Sequence, residues 1–554
     1  MMMSTERILP ETDPRVDGFL RIQENYRSLY ARFKTAEPQQ QTAISTIQTH
    51  CARLYLGTDF VVKIKRPVSY SYLDLSSVYK RRKMCEKELE INRPGLPDVY
   101  LCTAAIVETG DGTLSFALDS AGYLNGDQVL EWCLVMRKFD ESSVLDNVAQ
   151  RGEFDSSLAA LTGKSIAEYH NSLEPFVCND GDTRVDELMS EIEFELKLLT
   201  NFFSKESVDR LIEAMYARFR VVKSQLISRS RDGFVCRGHG DLHLRNMLLR
   251  NRVPVPFDAL EFDERLATTD VLYDLAFLIM DLCHRDLVPE ANTVLNEYLL
   301  QTNEQNVAGV NLLDLFISIR ASIRAMTTAQ SASALKGNAQ RVSEIKREAQ
   351  SYFALAEWVL SPKAPIVVAV GGFSGSGKST VSKALAGRLC SLPGAVLLQS
   401  DAERKQEFKV AGTHRLPDEH YTLENANRVY HRLFDKAKSA ASNGYPLIID
   451  ATFLSQARRE SVEKLAVNAN VPFFGFWLIA PVDVMQKRVL ARKQDTSDAD
   501  VTVLDRQLKN DKGVISWQLL DTDCNSDEVV ANIMEEVLKI ANVQTGSSQT
   551  VERA

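Results

Sequence analysis

Two short stretches of the 554-residue chain combine residue types that handle phosphate. In the second half, Gly372-Phe373-Ser374-Gly375-Ser376-Gly377-Lys378-Ser379 fits the spacing GxxxxGK[ST], directly after the apolar run Ile366-Val367-Val368-Ala369-Val370 and before a helical pattern. Glycines let backbone N–H groups curl around phosphate oxygens, and a helix start adds positive dipole. Gly372, Ser374, Gly375, Ser376, Gly377 and Thr380 are therefore candidates for nucleotide contact. Lys378 would bridge the β- and γ-phosphates, and Ser379 would ligate Mg²⁺. Pro446-Leu447-Ile448-Ile449-Asp450 ends a second apolar strand in a carboxylate that would hold the same ion. The competing readings, a bare tight turn and a solvated strand-end Asp450, do not explain why the two occur together.

The residues around these fix what a bound triphosphate would do. Asp450 is followed by Ala451-Thr452-Phe453, without the acidic neighbour that many motor ATPases use to polarise water. Asp401 ends Leu397-Leu398-Gln399-Ser400-Asp401 and would point into the cleft as base for a hydroxyl acceptor, with Arg404 a turn later as anion clamp. A helix N-cap at Asp401 is the alternative, and the two roles are compatible. Arg488 and Arg492 share a helix face and could close over the phosphates, or form a solvated charged face. Over about residues 364 to 542 the segment resembles P-loop small-molecule kinases, the group with gluconate-kinase-like and zeta-toxin-like enzymes. The resemblance implies a central parallel sheet and transfer of phosphate from ATP to a small hydroxyl acceptor, with Asp401 as base.

The first half carries His239-Gly240-Asp241-Leu242-His243-Leu244-Arg245-Asn246, and Pro256-Phe257-Asp258 follows seventeen residues after Asp241. Asp, then Asn five later, is the spacing of a kinase catalytic loop. Asp241 would orient the acceptor hydroxyl, while Asn246 and Asp258 would hold Mg²⁺. His239 and His243 would suit zinc only on a helix; Gly240 and Asp241 are poor helix formers and no third ligand is near, so both histidines read as braces. The loop strongly resembles that of the aminoglycoside phosphotransferase and choline-kinase-like family, over roughly residues 40 to 335. The resemblance implies a bilobal protein-kinase-like fold with a nucleotide-facing lysine on an early strand. Lys63 and Lys65 share one strand face, so alternation cannot choose between them. The family pattern favours Lys63, with Glu88 on the next helix as its ion-pair partner. Trp132-Cys133-Leu134-Val135-Met136-Arg137 looks like the hinge strand against which adenine would lie, at Met136, and Asp274 would anchor the lower lobe. One departure is that no GxGxxG precedes Lys63, only Gly57.

These residues need two frameworks. Arg53 to Leu56 with Phe60 to Lys65 reads as a hairpin, Val78 to Asn92 as a charged helix and Trp132 to Met136 as a buried strand, after which helical patterns dominate from 155. That composition predicts an α+β bilobal part. Beyond Ser361-Pro362-Lys363-Ala364-Pro365, strands alternate with helices from Ile366 to Ile479, which predicts an α/β part with a parallel sheet. The expected organisation is a partly flexible extension (1–39), the kinase-like part (40–360), a Pro-rich linker (361–365), the P-loop part (366–542) and a flexible tail (543–554). This order of parts is similar to a bacterial family of bifunctional fusions of aminoglycoside-phosphotransferase-like and P-loop ATP-binding parts.

Composition bounds the partners. Net charge is -9, with 65 Lys plus Arg against 74 Asp plus Glu, so a strongly basic nucleic-acid binder is excluded. Nine cysteines without a CxxC pair encode neither a disulfide framework nor a zinc ribbon and suit a reducing cytosol. Met1 opens a charged segment rather than an apolar signal region. The strongest apolar runs, Val271 to Cys283 and Val471 to Val482, fall short of the ~20 residues a bilayer span needs. The expectation is a cytoplasmic protein without membrane or nucleic-acid partners, its oligomeric state open. It would be an ATP- and Mg²⁺-dependent phosphotransferase with two nucleotide sites and small hydroxylated acceptors. Two alternatives are a nucleotide-sensing regulator without acceptor turnover and an antibiotic phosphotransferase, for which Glu261, Asp263 and Glu264 would form an acidic patch.

Overall fold

The structure, a computed structural model, describes residues 13–35, 43–70, 73–118, 128–332, 339–361, 365–389, 392–410, 414–491, 497–510 and 512–545. Two compact units interleave along the chain. The first holds residues up to Glu153 with Leu173–Leu198 and Ser228–Asp274; the second holds Phe154–Ser172, Leu199–Ile227 and everything from Leu275. The expected linker at 361–365 falls inside the second unit, and residues 362–364 lie outside the described set.

In the first unit an antiparallel sheet runs in the order β1-β2-β3-β6-β4-β5. Its strands are β1 (Ser45–Gln48), β2 (Ala52–Leu56), β3 (Phe60–Lys65), β4 (Tyr100–Glu108), β5 (Leu114–Ala117) and β6 (Gln128–Arg137). Every residue of β3 is buried because both of its faces are covered. Phe60, Val62 and Ile64 pack with Val16, Leu20, Tyr26 and Tyr30, which come from residues 14–32 of the expected extension. The opposite face, with Val61, Lys63 and Lys65, meets helix α1 (Val78–Asn92), capped by the Ser77 hydroxyl accepting the Lys80 N–H. The buried residues of α1 are Arg81, Cys85, Glu88 and Asn92, a helical stripe that is mainly polar. Strand β7 (Val235–Arg237) leads into the 238–246 loop, and the hairpin β8 (Met247–Arg250) and β9 (Val253–Pro256) connects Asn246 to Asp258. Strand β10 (Thr268–Asp270) pairs with β7 and precedes helix α2 (Val271–His284).

The second unit contains helix α3 (Val288–Gln301) and an all-parallel sheet in the order β12-β13-β11-β14-β15. Its strands are β11 (Val367–Gly372), β12 (Val396–Gln399), β13 (Leu447–Asp450), β14 (Phe473–Ile479) and β15 (Gln518–Asp521). Continuous apolar runs form the central strands because helices cover both faces. Val368, Val370, Ile448, Phe476 and Leu478 pack with Val381 and Leu385 of helix α4 (Lys378–Ala386) and with Val530 and Ile533. Helices α5 (Ser400–Glu407), α6 (Leu423–Ser442) and α7 (Val501–Lys509) follow. Gln399 and Val370 are each in register with Asp450, so β12 and β13 end level while β11 runs two residues further, at the carboxyl edge where open α/β sheets bind ligands. Among the described residues, one segment, Gln305–Ser331, is long and apolar enough to cross a membrane, and 89% of its apolar window is buried inside the protein. It exceeds both apolar runs singled out from the sequence.

Candidate active sites

In the first unit β3 and α1 bring a chain of charges together. Lys63 Nζ lies 2.7 Å from Glu88 Oε1 and 3.0 Å from Asp258 Oδ1. Lys65 Nζ lies 2.6 Å from Glu88 Oε2 and also pairs with Glu261. One carboxylate thus serves both lysines, and Lys63 is the one that reaches Asp258. Burial would raise the Glu88 carboxyl, but the two ammonium groups outweigh it and hold it well below its ordinary range. For Lys63, burial favours the neutral amine, yet Asp258 and Glu88 keep it firmly charged. Met136 stands opposite Val61, on the Lys63 side of the sheet, and packs with Tyr100, Leu134 and Leu248.

The 238–246 loop is pinned from α2: Asp274 accepts the His239 N–H at 2.7 Å and the Gly240 N–H at 2.9 Å. The His239 ring donates from Nε2 to the Phe257 carbonyl at 2.8 Å, and its Nδ1 accepts the Asp241 N–H at 3.3 Å. Both nitrogens are committed to a neutral tautomer, in keeping with burial pushing this imidazole below its ordinary value. The ring thus braces the loop, and among the described residues no group of three or more His, Cys, Asp or Glu side chains could hold a metal ion. Asn246 Nδ2 donates to Asp241 Oδ2 at 2.9 Å, and His243 Nε2 lies 3.4 Å from the same oxygen. Asp258, in the left-handed region at φ 58°, donates its N–H to the Tyr100 hydroxyl at 3.1 Å, and Asn92 of α1 accepts the Ala259 N–H at 2.8 Å. Asp241 and Asn246 are thus joined to Asp258 by a short hairpin and braced from α1 and α2, and their carboxylate and amide oxygens are of the type that could hold a divalent cation.

The acidic patch is differently built than expected. Glu261 pairs with buried Lys65, Asp263 caps the helix at Glu264–Ala267, and Glu264 contacts Arg237. Each of the three carboxylates has a partner within the protein. The short turn at Gly57 accepts a hydrogen bond from Lys138, and the neighbouring Thr58 N–H points at the Gln23 side chain at 3.4 Å.

In the second unit β11 runs into the glycine-rich turn, where Gly372, Gly375 and Gly377 all have positive φ. At Gly375 no side chain fits, since a Cβ would lie 2.5 Å from the Met485 carbonyl oxygen. Lys378 Nζ donates to the Phe373 carbonyl at 2.8 Å. Thr380 and Ser379 face a cavity of about 940 Å³, as do Asp401, Arg404 and Asp450. Asp450 accepts from Gln399 Nε2 at 2.8 Å, and burial raises its carboxyl despite the nearby Lys378 ammonium. A buried carboxylate whose charge is not fully compensated, beside the Ser379 hydroxyl, fits a divalent cation.

Asp401 lies in the first turn of α5 rather than at its cap, which is Gln399 and makes no side-chain capping bond. The Arg404 guanidinium sits over the Tyr421 ring at 4.8 Å. Arg488 reaches the Thr522 carbonyl at 2.6 Å, and Thr522 in turn donates to the Ser376 carbonyl at 2.9 Å, which ties this arginine to the phosphate loop. Arg492 lies outside the described residues. Sequence reasoning missed Gln507, whose side chain bonds the Ser374 N–H at 2.9 Å and its hydroxyl at 3.0 Å. It also missed Asp498, which holds Lys405 at 3.0 Å, the Tyr421 hydroxyl at 2.6 Å and the Leu416 N–H at 3.0 Å. Nothing in their local spacing separates these residues from surface polar positions.

Residues 367–512 match the family model described as an AAA domain. An uncharacterized protein of Mycobacterium tuberculosis is 26% identical over 473 residues, covering 83% of this chain and 88% of its own length. An adenylyl-sulfate kinase of Myxococcus xanthus is 33% identical over 117 residues, 21% of this chain and 59% of that protein. Among solved structures, choline kinase from Cryptosporidium parvum covers 62% of this chain and 94% of its own, at 12% identity and TM-score 0.38. The AAA domain match spans strands β11 to β14, with the glycine-rich turn between β11 and α4 inside it.

Proposed function

We propose that the protein transfers the γ-phosphate of ATP to hydroxyl groups of small molecules, using Mg²⁺ and two nucleotide sites. The observation that carries the reading is the convergence of Lys378, Ser379, Asp450, Asp401 and Arg404 on one cavity. In the P-loop part, the backbone N–H groups from Gly375 to Thr380 bind phosphate and Lys378 moves onto the β- and γ-oxygens. Ser379 and Asp450 would hold Mg²⁺, which screens the charge between phosphate oxygens. Asp401 takes the acceptor hydroxyl proton and Arg404 orients an anionic group of nucleotide or acceptor. Arg488 closes over the phosphates.

In the kinase-like part, Lys63, fixed by Glu88, contacts the nucleotide phosphates, and Met136 lies under the base. Asn246 and Asp258 would hold Mg²⁺, and Asp241 orients the acceptor hydroxyl. The neutral, fully committed His239 keeps the Asp241 backbone in place.

The test is ADP release from Mg-ATP, with and without a bacterial metabolite extract, by wild type, Asp241→Ala, Lys378→Ala and the double variant. Acceptor-dependent release should fall in at least one single variant by about 10²-fold or more and vanish in the double variant. Release surviving in the double variant would refute the assignment.

A further inference from the structure

Strand β12 stands at the edge of the parallel sheet, with β13 on one side and no strand on the other. An edge strand leaves a row of backbone N–H and C=O groups in need of partners. Here the Leu397 N–H, and the Ala395 carbonyl just before the strand, are taken by two asparagines of α3. Asn292 Nδ2 donates to the carbonyls of Pro393 and Ala395, both at 3.0 Å. Asn296 Nδ2 donates to Ala395 at 3.2 Å, while Asn296 Oδ1 accepts the Leu397 N–H at 2.7 Å. Asn296 therefore presents one acceptor and one donor in the pattern of an adjoining strand, and Leu397, able only to donate there, fixes its amide orientation. The Ala395 N–H goes to the Ala386 carbonyl at 2.8 Å. The helix sits close: a Cβ at Gly394, φ +99°, would lie 2.8 Å from Asn292 Nδ2, and one at Gly387 would lie 3.0 Å from Pro289 Cα.

β12 continues directly into α5, which carries Asp401 and Arg404. The far end of α5 refers to the same region of the chain. Gln406 Nε2 donates to Gln301 Oε1 at 2.9 Å, and Arg432 pairs with both Glu304 and Glu407. Both ends of the helix bearing the acceptor-side residues are thus held by residues 292–304, which lie before the 367–512 segment that matches the AAA domain model.

We infer that α3 serves as the missing edge partner of the P-loop sheet, and that Asn296, with Asn292, is a positioning residue for Asp401 and Arg404. The P-loop part is then not a self-contained kinase; its acceptor side is completed by a helix of the preceding part. The edge-capping stands independently of the proposed function, and only the effect on turnover rests on Asp401 as acceptor-side base.

The test compares full-length wild type, Asn296→Leu and Asn296→Asp by hydrogen–deuterium exchange and by Mg-ATPγS binding. Asn296→Leu, similar in volume without either polar group, should speed exchange over 395–407 by about tenfold. Exchange over 367–372 and nucleotide affinity should stay within about twofold of wild type. Asn296→Asp keeps an oxygen facing Leu397 and should keep that amide protected. Unchanged exchange over 395–407 in Asn296→Leu, or an equal rise across 367–372, would overturn the edge-capping. If Asn296→Leu does not fold, Gln406→Ala decides: exchange should rise over 400–407 and not over 395–399, and no rise would overturn the inference. Extract-stimulated ADP release at saturating Mg-ATP should fall about fivefold in Asn296→Leu. Faster exchange with undiminished release would overturn the positioning role while leaving the cap in place, whereas loss of release in Asp401→Asn is the separate check on the base.

Discussion

Glu88 is shared, one oxygen each, by Lys63 and Lys65, and all three side chains are buried. Removing its charge leaves two ammonium groups with only Asp258 and Glu261, so Glu88→Gln should cost about 3 kcal/mol, the lower end for a broken buried pair. Because folding depresses this carboxyl from an unfolded value near ~4.3, its contribution is complete above that pH and is lost as pH falls toward the folded value. The urea-midpoint gap between wild type and Glu88→Gln should therefore be constant from about pH 8 to 5 and narrow below ~4.3; a gap independent of pH would contradict the pairing. At the other site, Lys378→Ala removes charge-assisted bonds to phosphate of about 1.5–3 kcal/mol, roughly ten- to hundredfold in the Kd for ATP by calorimetry. The roles proposed for Lys378, Asp450 and Asp241 could be read from the sequence because such roles demand fixed local spacing. Lys63 and Lys65 were not separable, since a period of two puts both on one face. Gln507 and Asp498 were invisible, since each acts on residues distant in sequence, Ser374 and Lys405.

At the scale of elements, the turn between β11 and α4 works only as a glycine-rich conformation. Gly375→Ala would force a Cβ to 2.5 Å from the Met485 carbonyl at φ +83°, at a cost of about 1–3 kcal/mol, and should abolish ATP binding at this site. Gly444→Ala is the control: φ is +71° but nothing lies within 4 Å, so about 1 kcal/mol should be lost with ATP affinity unchanged. Thermal unfolding and calorimetry on the pair separate strain from function, and equal ATP affinity in both would contradict the account of the turn. The apolar runs of β11 and β13 reveal buried parallel strands directly. The charged helix α1 was visible as a helix, but its inward stripe of Arg81, Cys85, Glu88 and Asn92 carries little hydrophobic signal to say which side faces the sheet. The hairpin β8–β9 and strand β15 escaped because these strands are short and only partly buried, without the fully buried run of the equally short β13. The docking of α3 on β12 escaped because asparagine in a helix names no partner until the fold supplies one.

For the whole molecule, composition and the prolines near 361 suggested a simple succession of two parts, with a boundary where the helix Ala339–Val359 ends. Compactness divides the chain elsewhere, grouping Phe154–Ser172, Leu199–Ile227 and the chain from Leu275 with the P-loop sheet. Side chains such as Asn292 and Asn296 explain that grouping, which no seam in composition could signal. The central claim, that one chain binds two nucleotides for phosphoryl transfer, is tested most directly by counting Mg-ATPγS sites per chain in wild type, Asp258→Ala, Lys378→Ala and the double variant. At ligand levels just sufficient to fill wild type, the account predicts two sites in wild type, one in each single variant and none in the double variant. A single site in wild type, or one that persists when both residues are replaced, would contradict it.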